Sequence, residues 1–125
     1  MGNVERQEAT VAERVARNDA LFRAANEKIR VAAETFATTV ERVPFICECA
    51  EERCVELVRL DLEQYREIRS NRRWFLNVPG HEAAARGWGE VVATRDAYVI
   101  VEKLGLAGEI VEELAGEPDI GVDPR

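Results

Sequence analysis

The sequence predicts an α+β fold in which a long N-terminal helix leads into a small domain of short antiparallel strands and two short helices. Three observations carry that prediction. Residues 4–43 contain neither Gly nor Pro and are rich in Ala, Glu and Arg, which favour helix. Beyond Pro44, short apolar and β-branched runs are separated by Pro, Gly, Asn and Asp. Between those runs lie two stretches of helical period, 61–70 and 106–116. At 125 residues and 46% hydrophobic content, the chain has the material for one domain with a modest core. The expected division is a helix over 1–43, a compact unit over 44–116 and an acidic extended tail over 117–125.

Within the first helix, Val15, Phe22, Ile29 and Phe36 recur every seven residues, and a second row of Val11, Asn18, Ala25, Ala32 and Thr39 is smaller or polar. Nearly forty helical residues would span roughly 55 to 60 Å at 1.5 Å per residue, more than the remaining chain covers comfortably. The seam therefore has two readings: it docks on the chain's own core, or it self-associates as a coiled coil or an antiparallel pair.

Pro44 ends the helix, because its ring cannot continue the ladder and it disfavours helical geometry at Val43. Phe45–Ile46 and residues 54–60 (CVELVRL) then read as strands. Asp61, with Gln64 three residues on, makes a capping box for a short helix whose inward face is Leu62, Tyr65 and Ile68. Residues 74–78 (WFLNV) form a third strand, stopped by Pro79-Gly80. Residues 88–94 and 97–103 form a hairpin about Arg95-Asp96. The final helix turns Leu106, Ile110 and Leu114 to one side.

All three cysteines fall in FICECAEERC, residues 45–54. In an extended segment Cys47 and Cys49 point to the same side, and Cys54 returns after a four-residue loop, giving three legs of a tetrahedral site. The only histidine, His81, follows Pro79-Gly80, which suits the central positions of a type II turn and fixes its direction. These four residues are the candidate ligands of one structural Zn2+ ion per chain, a clamp that would staple a small core. Core packing of three small residues and a redox role are the alternatives. Glu48, Glu51, Glu52 and Arg53 argue against the first, because a segment so charged is a poor buried strand. The opening residues are charged and carry no signal peptide or membrane span, so a cytoplasmic location is expected; there, and with an odd cysteine count, a disulfide network is disfavoured.

Catalysis is not expected. The motifs H-E-x-x-H, H-x-E with P-C-x-x-C, and a nucleophile elbow are all missing, and four filled ligands leave no open position on the metal. Net charge is −7, concentrated in the C-terminal third, so nucleic acid is not the default partner. Arg66, Arg69, Arg72 and Arg73 nevertheless cluster beside Trp74. They read either as a solvated helix face or as an interaction patch for phosphate, nucleic acid or an acidic partner, and the acidic helix of residues 109–119 could itself consume them.

Taken with Asn26-Glu27, Phe45–Cys49, Cys54, Tyr65, Arg69, Phe75–Glu82, Val101–Lys103 and the terminal DPR, the chain resembles a family of short bacterial proteins common in high-GC Gram-positive bacteria. The likeness covers residues 26–125. It implies that the cysteines and the histidine belong to one site, and it brings no established activity. The expectation is a small, non-catalytic zinc-binding adaptor or regulator acting through protein contacts, with a nucleic-acid-associated zinc protein and a thiol/zinc redox sensor as alternatives.

Overall fold

The computed structural model describes residues 2–35 and 41–116. Along the chain lie α1 (Gly2–Thr35), β1 (Val43–Ile46), β2 (Leu57–Leu60), α2 (Leu62–Arg69), β3 (Trp74–Asn77), a 3-10 helix (His81–Ala85), β4 (Gly89–Thr94), β5 (Val99–Lys103) and α3 (Gly105–Gly116). This is the α+β arrangement the sequence predicts. The strands form two small antiparallel sheets, a β1–β2 ribbon and a three-stranded sheet in the order β3–β5–β4. No helix among the described residues is long and apolar enough to cross a membrane.

Side-chain alternation in β3 divides the core in two. Leu76 joins Val43, Phe45, Val58, Leu60, Tyr65, Ile68, Tyr98 and Ile100 in one cluster, while its neighbour Phe75 joins Ala12, Val15, Ala16, Ala85, Ala107 and Val111 in the other. Helix α1 serves both, with Ala12, Val15 and Ala16 in the second cluster and Ile29 and Ala33 packed against the first. Of the seam residues, Val15 is buried, Phe22 is half-buried and Ile29 packs on the chain's own core, as the docking reading has it; Phe36 lies outside the described residues.

The row of α1 that faces inward is a different one. Ala12, Ala16, Asp19, Arg23 and Asn26 are all buried, at alternating steps of four and three. Its first two members are small and let α3 approach closely. Its last three are polar, and each finds a partner. Asp19 Oδ2 lies 2.6 Å from Lys103 Nζ, with both residues fully buried. The guanidinium of Arg23 donates to the carbonyls of Arg72 and Val111, both at 2.9 Å. The Asn26 amide meets the end of β1 as a strand would, accepting from Ile46 N–H and donating to Ile46 C=O, both at 2.8 Å.

Several boundaries differ from the sequence reading. Val43 opens β1 instead of closing a helix, and Pro44 sits in the ribbon opposite Arg59, where β1 has a free edge that needs no N–H from it. Cys54–Glu56 precede β2 instead of belonging to it. The β4–β5 connection is longer than two residues, since Thr94 pairs with Val99 and Arg95 N–H reaches Tyr98 C=O. In α3 the buried positions are Ala107, Gly108 and Val111, while Leu106 is exposed. Gly108 is required there: a Cβ would lie 2.7 Å from both Lys103 C=O and Arg73 Nη1. The Asp61–Gln64 capping box of α2 is present in both directions. The tail of residues 117–125 lies outside the described residues.

If α1 is docked through its small residues, Ala16→Leu should overpack the contact with α3 and lower stability by about 1–3 kcal/mol. Leu21→Ala, on the outer face, should stay within about 0.5 kcal/mol of the parent. Urea unfolding of the two variants distinguishes an internally docked helix from one that stands away from the domain.

Candidate metal centre

Beyond Ile46 the chain stays extended through the first two cysteines. Cys47 N–H donates to Glu56 C=O at 3.0 Å, and Glu48 N–H donates to Leu76 C=O at 2.6 Å, so the segment is fastened on one side to the strand leading into β2 and on the other to β3. A tight turn with Cys54 N–H bonded to Glu51 C=O brings back the third cysteine. From the far side comes His81, held by the Val78–His81 turn in which Gly80 adopts φ 94°, ψ −22°, as a type II turn demands, and His81 N–H reaches Val78 C=O at 2.9 Å.

These elements converge on one point. His81 Nδ1 lies 3.6 Å from the Sγ atoms of both Cys47 and Cys54, and the four donor atoms of Cys47, Cys49, Cys54 and His81 all lie within 4.8 Å of one another. A tetrahedral zinc with thiolates at about 2.3 Å and imidazole at about 2.0–2.1 Å would have S···N edges of about 3.5 Å and S···S edges of about 3.8 Å. The arrangement fits such an ion. It also fits poorly as a hydrogen-bonded cluster, because a single Nδ1 has one hydrogen or one lone pair and cannot satisfy two sulfurs at equal distance.

Electrostatics point the same way. Hydrogen bonding from Cys47 holds the Cys49 thiol well below its usual range, at about 5, while Cys47 is pushed up by that same bond and by burial, and Cys54 is pushed up chiefly by burial. One thiolate is stabilised at the expense of the others. A divalent cation removes that competition and lets all three ionise. Val78 N–H, directed at Cys47 Sγ at 3.3 Å, is a further donor to sulfur.

The charge between the first two cysteines argues in sequence against burial, and the structure corrects this. Glu48, Cys47 and Cys49 are all fully buried. Strand alternation turns the two sulfurs to one side and the carboxylate to the other. There Glu48 Oε1 accepts from Arg69 Nη2 at 2.6 Å and from Leu76 N–H at 2.8 Å, while Oε2 accepts from Arg69 Nη1 at 2.9 Å and from Asn26 Nδ2 at 2.8 Å. This bidentate pair is fully hydrogen-bonded, the condition under which a buried carboxylate is tolerated. Beside it Tyr65 stacks on Phe45 at 4.2 Å and donates to Glu27 of α1 at 2.6 Å. In sequence the one available cue is the Cys-Glu-Cys alternation, which sets the carboxylate opposite two candidate ligands; the cation that answers it, Arg69, lies 21 residues away.

The expected arginine patch is dispersed. Arg69 is turned inward onto Glu48, Arg66 bridges to Glu34 of α1 at 2.9 Å, and Arg73 bridges to Glu112 of α3 at 2.8 Å, so the acidic helix captures one of the four. Trp74 packs against the first core cluster, and Arg72 is exposed.

Glu48→Gln, which leaves Arg69 without its counter-charge, should cost about 3–5 kcal/mol by urea unfolding of metal-loaded protein. Removing the exposed partner of a surface pair, Arg66→Ala, should cost no more than about 1 kcal/mol. Equal effects would mean that Glu48 does not anchor the cysteine segment. Comparison of the chain with protein-family models, with curated proteins and with solved structures finds no match, so the reading of the site rests on its own geometry.

Proposed function

We propose that the chain is a small zinc-binding protein whose ion is structural, one per chain, and that it works through protein contacts as an adaptor or regulator and not by catalysis. The observation that carries this reading is the convergence of Cys47, Cys49, Cys54 and His81 within 4.8 Å. Four protein ligands complete a tetrahedron and leave no position for substrate or water. Glu82, the carboxylate beside His81 and the nearest candidate for a base in sequence, accepts from Gly80 N–H at 2.8 Å and so helps hold the turn. Support for protein contacts comes from the loop and ribbon next to the centre, where Val55 and Leu57 are 83% and 60% exposed. The dispersal of the arginines favours a protein partner over nucleic acid.

A second reading, a thiol/zinc redox sensor, is favoured by one observation: Cys54 is less buried than Cys47 and Cys49, and is therefore the sulfur most open to an oxidant.

Protein purified without chelator should contain about one zinc per chain and melt at a markedly lower temperature once stripped. Cys47→Ser should abolish metal uptake. Less than about a tenth of an equivalent in the parent would sink the proposal, whereas full occupancy and unchanged melting in His81→Ala would remove the histidine alone. Loss of zinc on treatment with peroxide would favour the sensor; retention of metal and shape would dismiss it.

A further inference from the structure

A ribbon of two strands and a sheet of three have four outer edges, and three of these are blunted. On β1, Pro44 has no N–H to offer and Asn26 takes both backbone groups of Ile46. On β3, Glu48 takes both backbone groups of Leu76, Arg69 takes Trp74 C=O, and Val78 N–H is directed at Cys47 Sγ. On β4 a bulge between Val91 and Ala93 breaks the register, a device that deters further pairing. The edge of β2 has no such protection. Leu57–Leu60 pairs with β1 in unbroken register and contains neither Pro nor Lys.

The phase of the ribbon says what that edge presents. Cys47 N–H donates to Glu56 C=O, so Cys47 and Glu56 are a bonded pair. Bonded and open pairs alternate along an antiparallel ladder, which makes Phe45–Val58 bonded and leaves Ile46–Leu57 and Pro44–Arg59 open. The capture of Ile46 N–H and C=O by Asn26 from outside the ribbon agrees with this phase. On β2, therefore, the N–H and C=O of Leu57 and Arg59 point away from β1, and among the described residues they have no partner. The side chains beside them are open as well: Leu57 and Arg59 are exposed, and so is Val55 just before the strand.

We propose that the edge of β2 pairs antiparallel with β2 of a second copy of the chain about a two-fold axis at Leu57, joining two ribbons into a four-stranded sheet. The occupant is a second copy because the edge is complementary to itself. Residues 55–59 carry one acid and one base, so two copies meet there without net charge. Centred on Leu57, the pairing sets Leu57 against Leu57 and Val55 against the stem of Arg59, and extends the Ile46–Leu57 pair into an apolar row across four strands. The neighbouring registers in phase are worse. One centred on Glu56 sets Glu56 against Glu56, and one centred on Val58 sets Leu57 against Arg59. A two-stranded ribbon is marginal alone, and four strands with an apolar face are not. The inference rests on the protein-contact reading above and not on the metal.

Sedimentation equilibrium of zinc-treated protein over a concentration series, with amide exchange read at Leu57 and Arg59, tests it. The parent should reach the mass of two chains, and both amides should gain protection as the dimer forms. Arg59→Pro removes an N–H that the ribbon itself does not use and costs the interface one hydrogen bond from each copy, so it should weaken dimerisation by at least about tenfold. Leu57→Lys, which sets like charges against each other on the axis, should leave a monomer. Val31→Lys, exposed on α1, should dimerise as the parent does. A parent that stays monomeric overturns the proposal and leaves the edge to a strand of another protein, with the protein-contact reading intact. A dimer in which both amides exchange freely overturns it, as does one that Val31→Lys disrupts and Leu57→Lys does not. Should Arg59→Pro fail to fold, Leu57→Lys, a substitution at an exposed side chain, decides alone. Absence of zinc uptake defeats the metal reading and not this one.

Discussion

The bidentate pair between Glu48 and Arg69 is the interaction on which the rest of the structure depends. A carboxylate at 0% exposure is tolerable only when every acceptor site is filled, and here the donors come from α1 through Asn26, from α2 through Arg69 and from β3 through Leu76. Three elements are thereby placed around one residue. Because that residue lies between Cys47 and Cys49, the same bonds set the direction of two candidate metal ligands. The cysteine–histidine cluster and the helix–sheet packing are two faces of one extended segment, and neither is positioned independently of the other.

This explains how a chain with a modest apolar core holds a helix of 34 residues. Apolar contact secures α1 near Ala12, Val15 and Ala16 and again near Ile29. Between those points the helix is held by polar bonds from Asp19, Arg23 and Asn26 to three separate elements. Such bonds contribute modestly each but are costly to leave half-made. They favour one register of α1 over its neighbours, since a slip of one residue would leave charges buried without partners.

Part of this was legible in the sequence. Helix, ribbon and hairpin followed from composition and turn residues, and the convergence of the cysteines and the histidine followed from Cys-x-Cys alternation and the Pro79-Gly80 turn. The inward row of α1 was not legible, because three of its members are Asp, Arg and Asn, and a search for apolar period finds the row of Val15, Phe22 and Ile29 instead. The burial of Glu48 was hidden for a related reason. Charge reads as exposure until the partner is known, and Arg69 lies 21 residues away in a cluster that looks like a solvated face. Where the fold depends on buried ion pairs, residue-by-residue hydropathy finds the apolar stripe beside the innermost row and misses the row itself.

On the zinc-binding reading, the cysteine–histidine cluster and the docking of α1 are one cooperative unit. Amide hydrogen exchange with and without bound zinc tests it most directly, read at Ile46 N–H, bonded to Asn26, and Leu76 N–H, bonded to Glu48. The account predicts that both amides lose protection together when the metal is stripped, while Leu104 N–H, bonded to Trp88 C=O at the other end of the sheet, keeps more of its own. Unchanged protection at Ile46 and Leu76 in the stripped protein would contradict it.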